Sequence, residues 1–133
     1  MTVLIAAAAV LVIVSLALAW TATLTLYLKV PLLTRAFPAG FQLVRAHIDY
    51  LLMAMLMTTF VVLADRVDVG FSVALQWTIV VGAVWNPLGF VVLATRAGQR
   101  GPRPGFETWA TVVGFVPATV GFGGAAISIL GSV

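Results

Sequence analysis

The sequence predicts an all-α protein, a four-helix transmembrane bundle in which residues 1–133 form one integral membrane domain. Three observations carry that expectation. Hydrophobic residues make up 62% of the 133 and charged residues 8%, against roughly 25% charged in a soluble domain, so the chain cannot clothe a water-facing surface. The apolar residues fall into runs at about 2–28, 41–64, 71–95 and 106–130, each long enough to match the roughly 20 residues that span a hydrocarbon core. Short segments rich in Pro, Gly and charge separate the runs, and such residues punctuate helices.

The first helix, Thr2 to Leu28, is apolar apart from Ser and Thr, whose hydroxyls a helix satisfies internally. Ala17-Leu18-Ala19 resembles a signal-peptidase site, but no Lys or Arg precedes Lys29, so a cleaved signal is not expected. Lys29 to Gly40 reads as a connector broken by Pro31, Pro38 and Gly40. The second helix, Phe41 to Ala64, has the sequence FQLVRAHIDYLLMAMLMTTF over its first twenty residues. Asp65 to Gly70 is a tight polar turn. The third helix, Phe71 to Thr95, contains Gln76, Asn86 and Pro87. Arg96 to Gly105 is a basic Gly/Pro-rich loop, and the fourth helix runs from Phe106 to Leu130. Gly114, Ala118, Gly121, Ala125 and Ser128 recur along it every four and three residues, a small-residue stripe of the kind that lets a neighbouring backbone approach closely. Pro117 predicts a bend there.

With no cysteine, disulfides, thiolate metal sites and thiol nucleophiles are excluded. The net charge of +3 does not indicate nucleic-acid binding, because the cations lie in short loops, where they set membrane topology. Lys29, Arg35, Arg96, Arg100 and Arg103 occupy the first and third loops, with Arg45 at the membrane edge, while the second loop holds Arg66 beside Asp65 and Asp68. The expected orientation in a bacterial-type inner or plasma membrane is therefore basic loops cytoplasmic and both termini outside. His47 then lies roughly 9 Å of helical rise from the cytoplasmic start of its helix.

Chemistry concentrates in the second helix. Arg45 and Asp49 are four residues apart and can pair. His47, the one histidine, faces elsewhere, on a stripe with Leu51, Ala54 and Thr58. An ionisable group in a membrane segment is a functional-site candidate, and its ring nitrogens need partners in hydrocarbon. Three readings fit: a hydrogen bond to a carbonyl or hydroxyl of a neighbouring helix, a metal ligand (haem iron above all), or a proton relay. In the third helix Pro87 removes a donor and frees the Ala83 carbonyl, so Trp85-Asn86-Pro87 marks a polar pocket wall or an interhelical hydrogen bond. Trp20, Trp77, Trp85 and Trp109 suit membrane interfaces. Met53 and Met57 share a face and offer a second axial ligand. Glu107 is a lone carboxylate near a helix N-terminus. No phosphate loop, Ser-His-Asp set or catalytic carboxylate pair is present.

Arg45-Ala46-His47 opening the second helix, with Trp85-Asn86-Pro87-Leu88-Gly89-Phe90 on the third, resembles the styrene oxide isomerase family. The related hydroxylaminobenzene mutases share an Ala-His opening to the corresponding helix. The resemblance covers the length, the four-helix layout and these two stretches. It implies a homotrimer in membrane lipid with haem b between subunits, His47 as the axial iron ligand, and Arg45 and Trp85 beside the cofactor. In the isomerase, ferric iron acts as a Lewis acid on an epoxide oxygen and drives rearrangement to an aldehyde. The chain departs from the family where Met53 replaces an Asn, Ala83 an Asp and Val91 a Tyr, and its helix-three Asn falls on Pro87, with Asn86 one step away. Asn86, Tyr50 and Asp49 are then the candidates for the polar catalytic roles.

Three functions follow. The first is a haem-b isomerase of a small lipophilic substrate, an epoxide or N-hydroxy arylamine. The second is a haem protein without isomerase activity, and the third a haem-free structural subunit of a membrane complex.

Overall fold

The computed structural model describes the backbone of residues 1–96 and 106–133 and the side chains of residues 1–96 and 112–133. Arg100 and Arg103, with the side chains of Glu107 and Trp109, lie outside the described residues. The fold is all-helical: α1 (Thr2–Leu26), α2 (Pro31–Ala36), α3 (Phe41–Arg66), α4 (Val73–Ala94) and α5 (Phe106–Leu130). Four of these helices are long and apolar enough to cross a membrane.

The bounds sit within a few residues of those expected, and the ends have local causes. The first helix stops at Leu26 because Lys29 takes a left-handed backbone conformation, φ 49°, while the Val30 N–H donates back to the Leu24 carbonyl at 3.0 Å. The segment expected as a plain connector holds the short helix α2. Pro31 stands at its first turn, where the ring presets φ and the missing N–H costs nothing. Asp68, φ 55°, turns the chain after α3, and the Ser72 hydroxyl caps α4 by accepting from the Leu75 N–H at 3.2 Å. Thr21, Thr23, Thr25, Thr58, Thr59 and Thr78 each donate to the carbonyl four residues back, so these hydroxyls are satisfied inside their own helices.

Packing follows chain order: α1 lies chiefly on α3, α3 on α4, and α4 on α5, while α1 and α5 do not touch among the described residues. The bundle is open rather than a closed ring of four. The buried stripe of α1 is Leu4, Ala8, Leu11, Ser15, Ala22 and Thr25; that of α3 is Leu43, Ala46, Tyr50, Ala54, Met57 and Ala64. Many of these residues are alanine, which brings the helices close. The expected stripe of α5 packs on α4 through Gly114, Gly121 and Ala125, with Ser128 left exposed. A Cβ on Gly121 would meet the backbone of Ile79 at 2.9 Å. The stripe has a counterpart in α4: a Cβ on Gly82 would overlap the backbone of Pro117 and Ala118.

One backbone contact fixes which ends face alike. The Ala39 N–H donates to the Ala94 carbonyl at 3.1 Å, so the first connector and the end of α4 meet. Lys29, Arg35 and Arg96 therefore gather at one end of the molecule, and Asp65, Arg66 and Asp68 lie at the other.

Candidate functional site

His47 stands on the flank of α3's buried stripe, half-buried against α1. Its partner is Ser15, which interrupts the apolar stripe of α1 and is 1% exposed. Unlike the threonines, Ser15 sends its hydroxyl across the helix interface. Its O–H donates to the His47 carbonyl oxygen at 2.9 Å. The imidazole Nδ1 lies 2.9 Å from the Ser15 carbonyl oxygen and 2.7 Å from Ser15 Oγ.

One proton assignment satisfies all three contacts. A carbonyl only accepts, so Nδ1 carries the proton and donates to Ser15, while the serine hydroxyl proton goes to the His47 carbonyl. In the neutral imidazole the Nε2 atom then holds the lone pair. No hydrogen bond reaches Nε2, and Nε2 is not among the buried unpartnered atoms, so it opens to the surface of the chain. A ring held through Nδ1–H on a backbone carbonyl, with Nε2 presented, is the arrangement that orients histidine toward a metal. The same contact also meets the expectation of a histidine bonded to a neighbouring helix.

Tyr50, one turn on, is 4% exposed. Its hydroxyl donates to the Val84 carbonyl at 3.1 Å, which ties α3 to α4 and sets their register. Counting along these two antiparallel helices from that bond puts Pro87 level with His47, with Trp85 and Asn86 on the adjoining turn. Asn86 is half-buried and its amide makes no hydrogen bond. Trp85 is 44% exposed and lies against α5 at Gly114.

The expected Arg45–Asp49 pair does not form. Arg45 is exposed, and its guanidinium carbon sits 5.6 Å from the centroid of the Phe41 ring. Helical side chains slope toward the N-terminus, so a cation reaches back to residue i−4 more readily than forward to an acid at i+4, and base-before-acid is the weaker order for such a pair. Asp49, half-buried, makes neither an ion pair nor a hydrogen bond. No hydrogen bond links Asp49, Tyr50, Asn86 and His47 to one another.

Met53, Ala83 and Val91, where the resemblance leads one to expect polar residues, are part of the apolar core or packed against it. Met57 is fully buried in the same core. Gln76 is buried, with its Nε2 amide donating to the Phe71 carbonyl at 2.9 Å. These side chains serve packing. Among the described residues no three His, Asp or Glu side chains converge as a metal cage. A haem, which brings four nitrogens of its own, needs from the protein only one strong donor and a face to lie on. The presented Nε2 offers the donor.

Sequence reasoning missed Ser15. The available signal was its position: a lone serine in step with Leu4, Ala8 and Leu11 on the face that packs inward. Comparison with protein-family models, with curated proteins and with solved structures returned no match.

Proposed function

We propose that this chain is a membrane-embedded haem-b protein that isomerises a small lipophilic substrate, with His47 as the residue that would hold the iron through Nε2. The observation that carries the reading is the imidazole clamped through Nδ1 on Ser15 with Nε2 unengaged. The cavity beside α2 and the shallow one on α5 do not include His47. A cofactor on Nε2 would therefore lie against the outer face of α1 and α3 and be closed over by another copy of the chain. That agrees with a homotrimer built on the open edges of the bundle.

In this reading, ferric haem supplies a Lewis acid toward an epoxide or N-hydroxyl oxygen, with no net redox change. The chain's own residues do the rest. Ser15 fixes the imidazole tautomer and ring orientation and raises the basicity of Nε2. Arg45, held only by the Phe41 ring, would supply a cation for the cofactor's carboxylates, while Trp85, packed against Gly114 of α5, would wall the cofactor only from a neighbouring copy. Asn86 and Asp49 have polar groups free to orient a substrate oxygen or take a proton. Tyr50 has its hydroxyl committed to Val84 and acts through the register of α3 on α4.

A second reading has its own support: the Ser15–His47 clamp is a sufficient structural reason for the histidine, as in a haem-free subunit of a larger complex. Absorption spectra of the protein purified in detergent from haem-replete cells separate the two. A Soret band that disappears in His47→Ala and responds to added epoxide supports the isomerase. A Soret band indifferent to epoxides and N-hydroxy arylamines leaves a haem protein without that activity. Protein that stays colourless after haem addition overturns the haem reading and leaves the clamp.

A further inference from the structure

The first connector builds a cavity that the proposed haem chemistry does not use. It has a volume of about 490 Å³ and is lined by Thr25, Leu26, Lys29, Pro31, Thr34 and Arg35. Two of the six are cations and none is an acid. Neither Lys29 nor Arg35 makes an ion pair or a side-chain hydrogen bond. Asp65 and Asp68 lie in the turn at the other end of the molecule, and among the described residues no acid lines the cavity. Around the cavity stand Tyr27, Leu28 and Leu32, which are 81%, 66% and 76% exposed. These are apolar surfaces at the end of a helix fit to cross a membrane.

The shelf is fixed before any ligand arrives. The Val30 N–H to Leu24 carbonyl bond and the Thr34 N–H to Val30 carbonyl bond hold the turn between α1 and α2. Gly40 lets the start of α3 sit against Thr25 and Leu26, where a Cβ would meet the Thr25 methyl at 2.9 Å. Lys29 itself stays left-handed at φ 49°, a conformation that costs a lysine energy and a glycine none.

The geometry points to a binding site for the phosphate of an anionic membrane lipid, held between Lys29 and Arg35 with its acyl chains along Leu26, Leu28 and Leu32. Charge selects the phosphate, and the exposed apolar rim selects a lipid over free phosphate. Each cation near a membrane surface is worth about a factor of five in such binding.

The test uses the whole protein in a nonionic detergent and counts bound lipid by native mass spectrometry, with phosphatidylglycerol and phosphatidylcholine as probes. The expected result is retention of phosphatidylglycerol over phosphatidylcholine. Lys29→Gly and Arg35→Gln should each lower that retention about fivefold, with the double variant lower by about 25-fold. Lys29→Gly is the informative variant, because it removes the charge while relieving the backbone, so its thermal midpoint should equal or exceed the parent's. Arg66→Gln, at the far end, should change nothing. Equal retention of the two lipids, unchanged retention in the double variant, or an equal loss in Arg66→Gln would overturn the site. Displacement of bound lipid by millimolar inorganic phosphate would overturn the lipid assignment.

Discussion

Ser15 and His47 make the contact on which the functional reading turns, and its energy can be measured. Ser15→Ala removes a donor to the His47 carbonyl and one of the acceptors of Nδ1–H, which should cost about 1–2 kcal/mol in the docking of α1 on α3. A double-mutant cycle with His47→Ala should return a coupling of about 0.5–3 kcal/mol, because the residues share hydrogen bonds. If haem is bound, Ser15→Ala should also weaken it about 10- to 100-fold while leaving the ligand in place, read by haem titration. A coupling near zero would mean that the clamp does not hold in solution. Gln42 offers a test of opposite sign. Its Oε1 is the one buried side-chain oxygen without a hydrogen-bond partner among the described residues. Gln42→Met should therefore stabilise the protein by about 1 kcal/mol in a denaturant titration.

At the scale of elements, α4 and α5 are joined by backbone contact, and Gly82 sets how near they come. Gly82→Ala places a methyl into the Pro117–Ala118 backbone and should cost about 1–3 kcal/mol, the range for forcing volume into a packed interface. Gly123→Ala, where a Cβ meets nothing within 4 Å, should stabilise α5 by about 0.5–1 kcal/mol, and unfolding in mixed micelles compares the two. Half of this interface was legible in the sequence, since the spacing of Gly114, Ala118, Gly121 and Ala125 marks a helix face. Gly82 stands alone in α4, and a single glycine has no period to reveal it. The same limit applied at the site. His47 was visible as the one histidine in an apolar run, whereas Ser15 looked like the hydroxyls around it, which bond to their own helix. Whether a serine donates along its helix or across to another depends on which face it occupies, and the nearly uniform apolarity of α1 hides its faces. Arg45 and Asp49 had the right spacing but the wrong order to pair, a matter of side-chain direction that spacing alone does not show.

For the whole molecule, the four long helices were legible because length and apolarity together decide whether a segment can cross a bilayer. Their open arrangement was not, because nothing in four apolar runs says that α1 and α5 stay apart. The absence of cysteine makes orientation straightforward to test. Ala36→Cys and Asp68→Cys, at opposite ends, should label from opposite sides of intact cells, with position 36 protected from an impermeant maleimide added outside. Labelling of both from one side would overturn the four-span topology. If the chain assembles as the proposed homotrimer, chemical cross-linking in native membranes should stop at three copies.

The Ser15–His47 contact also carries a consequence for synthesis. It joins residues 32 positions apart, both in the first half of the chain, so it forms once α1 and α3 have entered the bilayer together. Before then neither the tautomer nor the ring orientation is set, and Nε2 is one rotating donor among many solvent groups. A nascent chain therefore sets the His47 ring while its second half is still on the ribosome. A chain whose first helix fails to insert leaves the imidazole without its Ser15 partner, so the orientation of the ring reports that the opening helices are correctly threaded.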